Sequence, residues 1–224
     1  MTPLADARDM YAVHTMFRRE YAAIPGLVRA VAAGDEQRTA LVADHIALMN
    51  GVLHIHHAAE DEHIWPRLRE RCPVEIAQII DVMQEQHEGI HKGYLRVTET
   101  LEAWRASASA DAREALAGTA ERLSALLDEH LALEEERVVP LIERYVTAAE
   151  YSRIGEDGAA STPPDLLPTT FGMVMYEGDP EVIDAIVAAM PAEIQPVIRD
   201  AATAAYAAYA QNLYGTATPP RVTA

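Results

Sequence analysis

Two segments of the chain repeat one plan. His56 is followed four residues later by Glu60, His130 is followed four residues later by Glu134, and each glutamate precedes a proline, Pro66 or Pro140, by six residues. On a helix, residues four apart share a face one turn from each other, so each pair can present an imidazole nitrogen and a carboxylate to one point. His87 and His91 have the same spacing, and His14 adds another imidazole. Metal sites in the cores of helix bundles are built this way. A lone helical histidine is ordinarily a packed or solvated side chain, but burying this many polar groups without a cation would cost about 1–3 kcal/mol for each one left unsatisfied. The pattern therefore predicts His14, His56, Glu60, His87, His91, His130 and Glu134 as metal ligands. Five imidazoles and two carboxylates, with no thiolate, exceed what one tetrahedral zinc takes. They suit two octahedral first-row ions bridged by the carboxylates, iron first and manganese second.

Long helices must position these residues. From about Ala5 to Ala148 the chain is rich in Ala, Leu, Glu and Arg, with apolar residues at three- and four-residue spacing. Breaks are expected at Ala33-Gly34-Asp35, at Arg71-Cys72-Pro73 and from Ser107 to Asp111. Four segments of roughly 30 to 38 residues follow, and their short connections predict an all-α, up-down-up-down four-helix bundle. In such a bundle, residues equally far from a shared turn are level. His14 and His56 lie about 20 and about 22 residues from Gly34, and Glu60 and His87 about 13 and about 14 from Pro73. His91 and His130 lie about 18 and about 21 residues from Ser109, so all four helices deliver donors to one layer.

The texture changes after Tyr151, which divides the chain into a bundle over 1–150 and a helical extension over 151–224. Gly155-Glu156-Asp157-Gly158 and Ser161-Thr162-Pro163-Pro164 resemble a linker. Glu181 to Met190 and Pro196 to Tyr214 read as helices, the second with Ile198, Ala202, Ala205, Tyr206, Tyr209 and Leu213 along one stripe. That stripe is expected to pack on the bundle, with a homodimer through the C-terminal helices as the alternative. The tail from Gly215 to Ala224 is expected to fray.

Composition excludes several functions. A formal net charge of -17 disfavours nucleic acid and anionic membrane surfaces as partners. The single Cys72 offers neither a disulfide nor a thiolate zinc site. No signal peptide or bilayer-length apolar run is visible, and the expected location is cytoplasmic. No nucleotide-binding glycine motif is present.

The other histidines and nearby tyrosines have subsidiary expectations. His57 with Asp61 forms a rival four-residue pair, but the proline register aligns it with Leu131 and Glu135, so His57 is expected to face solvent or an interface. His45 and His63 are expected to be buried polar residues or partners of the ligands. Tyr11 and Tyr94 should point toward the ligand layer, and Tyr11, Tyr94 and His63 are the candidate hydrogen-bond or proton donors. Leu126, Leu127 and Leu131, with Met10 and Phe17, could line a dry pocket.

At these residues the sequence resembles the hemerythrin and hemerythrin-like family. Its members place a His on the first helix, His-x-x-x-Glu on the second, His-x-x-x-His on the third and a His-carboxylate pair on the fourth. The likeness covers roughly residues 5 to 148 and includes the acidic run Glu60-Asp61-Glu62-His63-Ile64-Trp65-Pro66. The resemblance implies two non-haem irons, carboxylate-bridged by Glu60 and Glu134 and sharing an oxo or hydroxo bridge. It assigns His87, His91 and His130 to one iron and His14 and His56 to the other, which keeps an open position. It also implies a diatomic or peroxide ligand. One departure is that Glu134 follows its His by four residues, where oxygen carriers have a carboxylate at five. The resemblance thus points to chemistry with hydrogen peroxide, dioxygen or nitric oxide, including peroxide decomposition. The alternative is reversible oxygen or nitric oxide binding, or iron or oxygen sensing, without turnover.

Overall fold

Residues 2–222 are described by a computed structural model, the side chains of residues 75–77 excepted. Met1, Thr223 and Ala224 lie outside the described residues, and with them the outermost ends of the two expected units. The described chain is all-α. Four long helices come in two successive pairs, α1 (Asp9–Arg29) with α2 (Glu36–His63) and α4 (Val74–Ser107) with α5 (Ala110–Arg137), each pair followed by a short helix, α3 (Trp65–Arg71) or α6 (Val139–Tyr145). Four more helices follow: α7 (Ala148–Ser161), α8 (Leu167–Met175), α9 (Pro180–Ala189) and α10 (Gln195–Tyr214).

Each boundary has a local cause. Gly34 takes φ +82° between α1 and α2, and the Asp35 side chain accepts from Arg38 N–H at 2.9 Å to start α2. The expected 30-residue spans are interrupted at Ile64 and Val138, because Pro66 and Pro140 lack the N–H that would continue the helix. The Glu62 carbonyl, four residues before Pro66, accepts instead from the Arg67 guanidinium at 3.0 Å. Ser109 caps α5, and a Thr147–Glu150 capping box starts α7.

The long helices pack in a ring, α1 on α2, α2 on α4, α4 on α5 and α5 on α1. Gly34 N–H donates to Ala108 O at 3.0 Å, which joins the α1–α2 and α4–α5 turns. Two apolar clusters fill the interior. One holds Phe17, Leu53, Ile90, Leu127 and Leu131; the other holds Met10, Trp65, Met83, Val138 and Tyr151. The predicted ligand positions, His91 excepted, fall between them.

Residues beyond α6 depart from expectation in three ways. The run Gly155 to Gly158 is not a linker but the middle of α7, which lies along α2. Its capping box starts a helix that the two glycines do not stop. A further helix, α8, crosses α10 closely at Gly172, where a Cβ would stand 2.3 Å from Ala202 O. The tail is fastened as far as Val222: Tyr176 OH donates to Pro219 O at 2.8 Å and Val222 N–H donates to Glu177 at 2.6 Å. The α10 stripe is buried inside the chain through Ala202, Tyr206 and Leu213, against α8 and α2. No described helix is long and apolar enough to cross a membrane.

Candidate metal centre

The interior between the two apolar clusters is polar. His14 from α1, His56, His57 and Glu60 from α2, His87 from α4, and His130 and Glu134 from α5 are all buried there. They form two donor groups, His14, His56, Glu60 and Glu134 in one and His57, His87 and His130 in the other, each with ligating atoms within 4.8 Å of one another. The carboxylates reach both groups. Glu60 Oε1 lies 3.1 Å from His56 Nε2 and its Oε2 lies 3.6 Å from His87 Nε2, while Glu134 Oε2 lies 3.5 Å from both His14 Nε2 and His130 Nε2.

These buried groups lack protein partners in a consistent way. Nε2 of His14, His56 and His57 and both oxygens of Glu60 and Glu134 have no hydrogen-bond partner, although a buried polar atom normally has one. Meanwhile the outward nitrogens are held. His14 Nδ1 lies 3.0 Å from Glu135 Oε1, His87 Nδ1 lies 2.9 Å from Asp61 Oδ1, and His130 Nδ1 lies 3.1 Å from Gln86 Oε1. Because these partners accept, each Nδ1 carries the proton and each Nε2 turns a lone pair inward. His87 Nε2 and His130 Nε2 consequently face each other at 3.3 Å with no proton between them. Oxygen and imidazole lone pairs converging in a dry interior fit a cation.

Electrostatics agree. Burial, and secondarily the neighbouring imidazoles, push His130 down to about 2 and hold His56 and His57 well below the ordinary imidazole range. Burial, then the Glu134 carboxylate beside it, pushes the Glu60 carboxyl well up. Imidazoles that resist protonation keep the lone pairs a metal needs.

A family model described as the hemerythrin HHE cation-binding domain matches residues 6–142. The chain belongs to this family. No curated protein and no solved structure matches it. The HHE match covers α1 to α5 and most of α6, and α7 to α10 lie beyond it.

Within the HHE domain the donor layer differs from the expected set at one place on α4 and one on α2. The structure brings together His14, His56, Glu60, His87, His130 and Glu134 but leaves His91 outside, exposed on the flank of α4. The buried stripe of α4 runs Met83, His87, Ile90, Val97, Leu101 and Trp104, so the position after His87 that faces the core is Ile90 at three residues, not His91 at four. His91 instead stacks with Tyr94, ring centroids 5.8 Å apart, beside the exposed His54 at 6.2 Å. His57, expected to face solvent or an interface, is buried and stacks on His87 at 4.0 Å. Its neighbour His56 packs toward His14 at 5.5 Å and Phe17 at 5.3 Å. Adjacent residues diverge by about 100° around a helix, so the two imidazoles straddle the inward direction of α2.

Other candidates are placed as follows. Tyr11 is exposed and does not reach the layer; its OH donates to Glu135 O at 3.5 Å. Tyr94 lines a cavity of about 330 Å³ with His54, His91 and Glu88, and His57 and His87 are also in its lining. His63 Nε2 bonds Asp157 at 2.7 Å and ties the end of α2 to α7. His45 is buried away from the layer, its Nδ1 2.9 Å from Tyr209 OH.

Sequence reasoning passed over Asp61 and Glu135, yet their signal was present. The repeated plan extends one residue further, as Glu60-Asp61 and Glu134-Glu135. In each copy the second acid holds the imidazole of another helix, Asp61 that of His87 and Glu135 that of His14. Arg18 in turn clamps Glu135 at 2.7 and 3.0 Å.

Proposed function

We propose that the HHE domain holds two cations, iron in preference to manganese, and binds or reacts with a small oxidant: hydrogen peroxide, dioxygen or nitric oxide. The observation that supports this reading is the set of buried, unpartnered imidazole and carboxylate lone pairs converging from four helices. His14 and His56 would serve one cation and His57, His87 and His130 the other, with Glu60 and Glu134 shared between them. His57 would thus take the role that the resemblance gave to His91. We place the four long helices in an up-down-up-down sense, supported by their short connections and by the bond between the two turns at Gly34 and Ala108.

Two such ions bound here would supply Lewis acidity and redox equivalents to the small molecule. The protein's own part is to hold the lone pairs in place and to keep the layer dry. Asp61, Gln86 and Glu135 fix three ring orientations, and Phe17 and Trp65 flank the imidazoles of His56 and His87 at 5.3 and 5.6 Å. The cavity that His57 and His87 help to line would be the route by which a small molecule reaches the layer, and its volume of about 330 Å³ suits one.

The test is metal content and the ultraviolet-visible spectrum of the purified protein, before and after His56→Ala. About two irons per chain with near-ultraviolet charge-transfer bands, both lost in the variant, are expected for a site of this donor set. A folded chain that neither carries nor takes up metal would overturn the reading. Sustained oxygen evolution on mixing with peroxide would then mark turnover. A single stoichiometric spectral change that reverses under vacuum would mark reversible binding instead.

A further inference from the structure

A second cavity, of about 680 Å³, lies between α7 and α9, outside the donor layer, and of its lining only Asp6, Arg8 and Asp9 belong to the HHE match. Each helix turns small or apolar residues toward it, Ile154 and Ala159 from α7 and Ala185 and Ile186 from α9. Two apolar faces confronting each other across an open space of this size leave the body of a small organic molecule to cover them, and the volume is that of an ordinary ligand pocket. Small residues on both walls, Gly155 and Ala159 on one and Ala185 and Ala189 on the other, leave a slot with room for a ring.

The cavity also has a polar element. Asp9 and Tyr151 both line it, and the Tyr151 hydroxyl donates to Asp9 Oδ1 at 2.6 Å. Burial raises the Asp9 carboxyl above its usual range, against the lowering effect of the Tyr151 hydrogen bond. Charge around the cavity argues against an anion. Arg8 is held by Asp6 through two bonds of 2.8 and 2.7 Å, and Glu156 lies in the lining.

We infer that this cavity is a binding site for a neutral, flat, apolar molecule bearing a hydroxyl, of the phenol class, with the ring between α7 and α9 and the hydroxyl on Asp9 and Tyr151. The inference does not rest on the metal reading, because binding can be measured in metal-stripped and metal-loaded full-length protein alike.

The experiment is isothermal titration of the full chain with 4-propylphenol, with 4-propylbenzoate as the anionic counterpart. Saturable phenol binding is expected in the micromolar to sub-millimolar range, at least about tenfold tighter than benzoate, a difference of about 1.4 kcal/mol. Ala185→Trp and Ala159→Trp, at exposed positions on opposite walls, should each weaken phenol binding by at least about tenfold by filling the slot. Helical circular dichroism checks each variant, and the comparison of phenol with benzoate on the unaltered chain decides the matter even if a variant misfolds. Absence of saturable phenol binding, equal affinity for benzoate, or unchanged binding in a folded tryptophan variant would overturn the inference. So would a two-chain species in sedimentation that Ala185→Trp dissociates, because the groove would then be covered by a second copy.

Discussion

Glu20 and Glu60 are both fully buried glutamates in the same protein, and their surroundings are opposite. Glu20 has its partners inside the chain. Its Oε1 accepts from Arg19 Nε at 2.9 Å and from Tyr206 OH at 3.2 Å, and its Oε2 accepts from Tyr214 OH. Arg19 continues the network to Glu177 at 2.7 Å and Met173 O at 2.9 Å, with its guanidinium over the Tyr176 and Tyr206 rings. That cluster fastens α8 and α10 to α1, and its polarity is accounted for by protein groups. Glu60 and Glu134 accept from no protein donor, while the atoms around them are imidazole nitrogens that offer lone pairs of their own. A buried carboxylate is therefore not a functional signal in itself; one whose neighbours are all acceptors is.

The comparison can be broken at either end. The largest effect on stability is expected from Glu20→Ala, which leaves the buried Arg19 with Glu177 as its one carboxylate and takes the acceptor from the Tyr206 and Tyr214 hydroxyls; it should cost about 3–5 kcal/mol in urea unfolding, with metal content per folded chain unchanged. Loss of metal in that variant would mean that the two regions are one site. Next, Glu60→Leu should have the opposite sign. In chelated protein it removes a carboxyl without a partner and should raise stability by about 1–3 kcal/mol while abolishing metal uptake. A destabilised chelated variant would show that Glu60 has a partner within the protein.

Smaller changes sharpen the picture. Asp61→Asn and Glu135→Gln should each weaken metal binding by about 10–100-fold without unfolding the chain, as measured by chelator competition. His57→Ala should cut metal affinity by more than either, and His91→Ala should leave it unchanged; the reverse ranking would restore the set expected from sequence. pH gives the smallest effect. In chelated protein, His56, His57 and His130 bind fewer protons folded than unfolded, so their contribution is complete above the unfolded value of about 6.5 and is lost as pH falls toward the folded values, about 2 for His130. Glu60, shifted upward, works the other way and loses stability as pH rises above about 4.5. Three imidazoles outweigh one carboxyl, so the melting temperature should fall between pH 7 and pH 5, and more steeply in Glu60→Leu.

The sequence by itself determined the helical class, the turns at Gly34 and Pro73, and the repeated His-x-x-x-Glu plan, because helical periodicity, proline and glycine act locally. It also held the cue for Asp61 and Glu135, one residue past the repeat. It did not foresee α8, or α7 running through Gly155 and Gly158, because those helices owe their stability to burial against α10 and α2. The burial of His57 in the donor layer and the placement of His91 outside it lay further out of reach. Spacing states which residues share a face of a helix, but the direction that face takes depends on how neighbouring helices roll against it. On α4 that roll turns Ile90 inward and His91 toward solvent, and on α2 it sets the inward direction between His56 and His57. Only the packed structure decides that rotation, since its energy comes from contacts between helices that no local stretch of sequence contains.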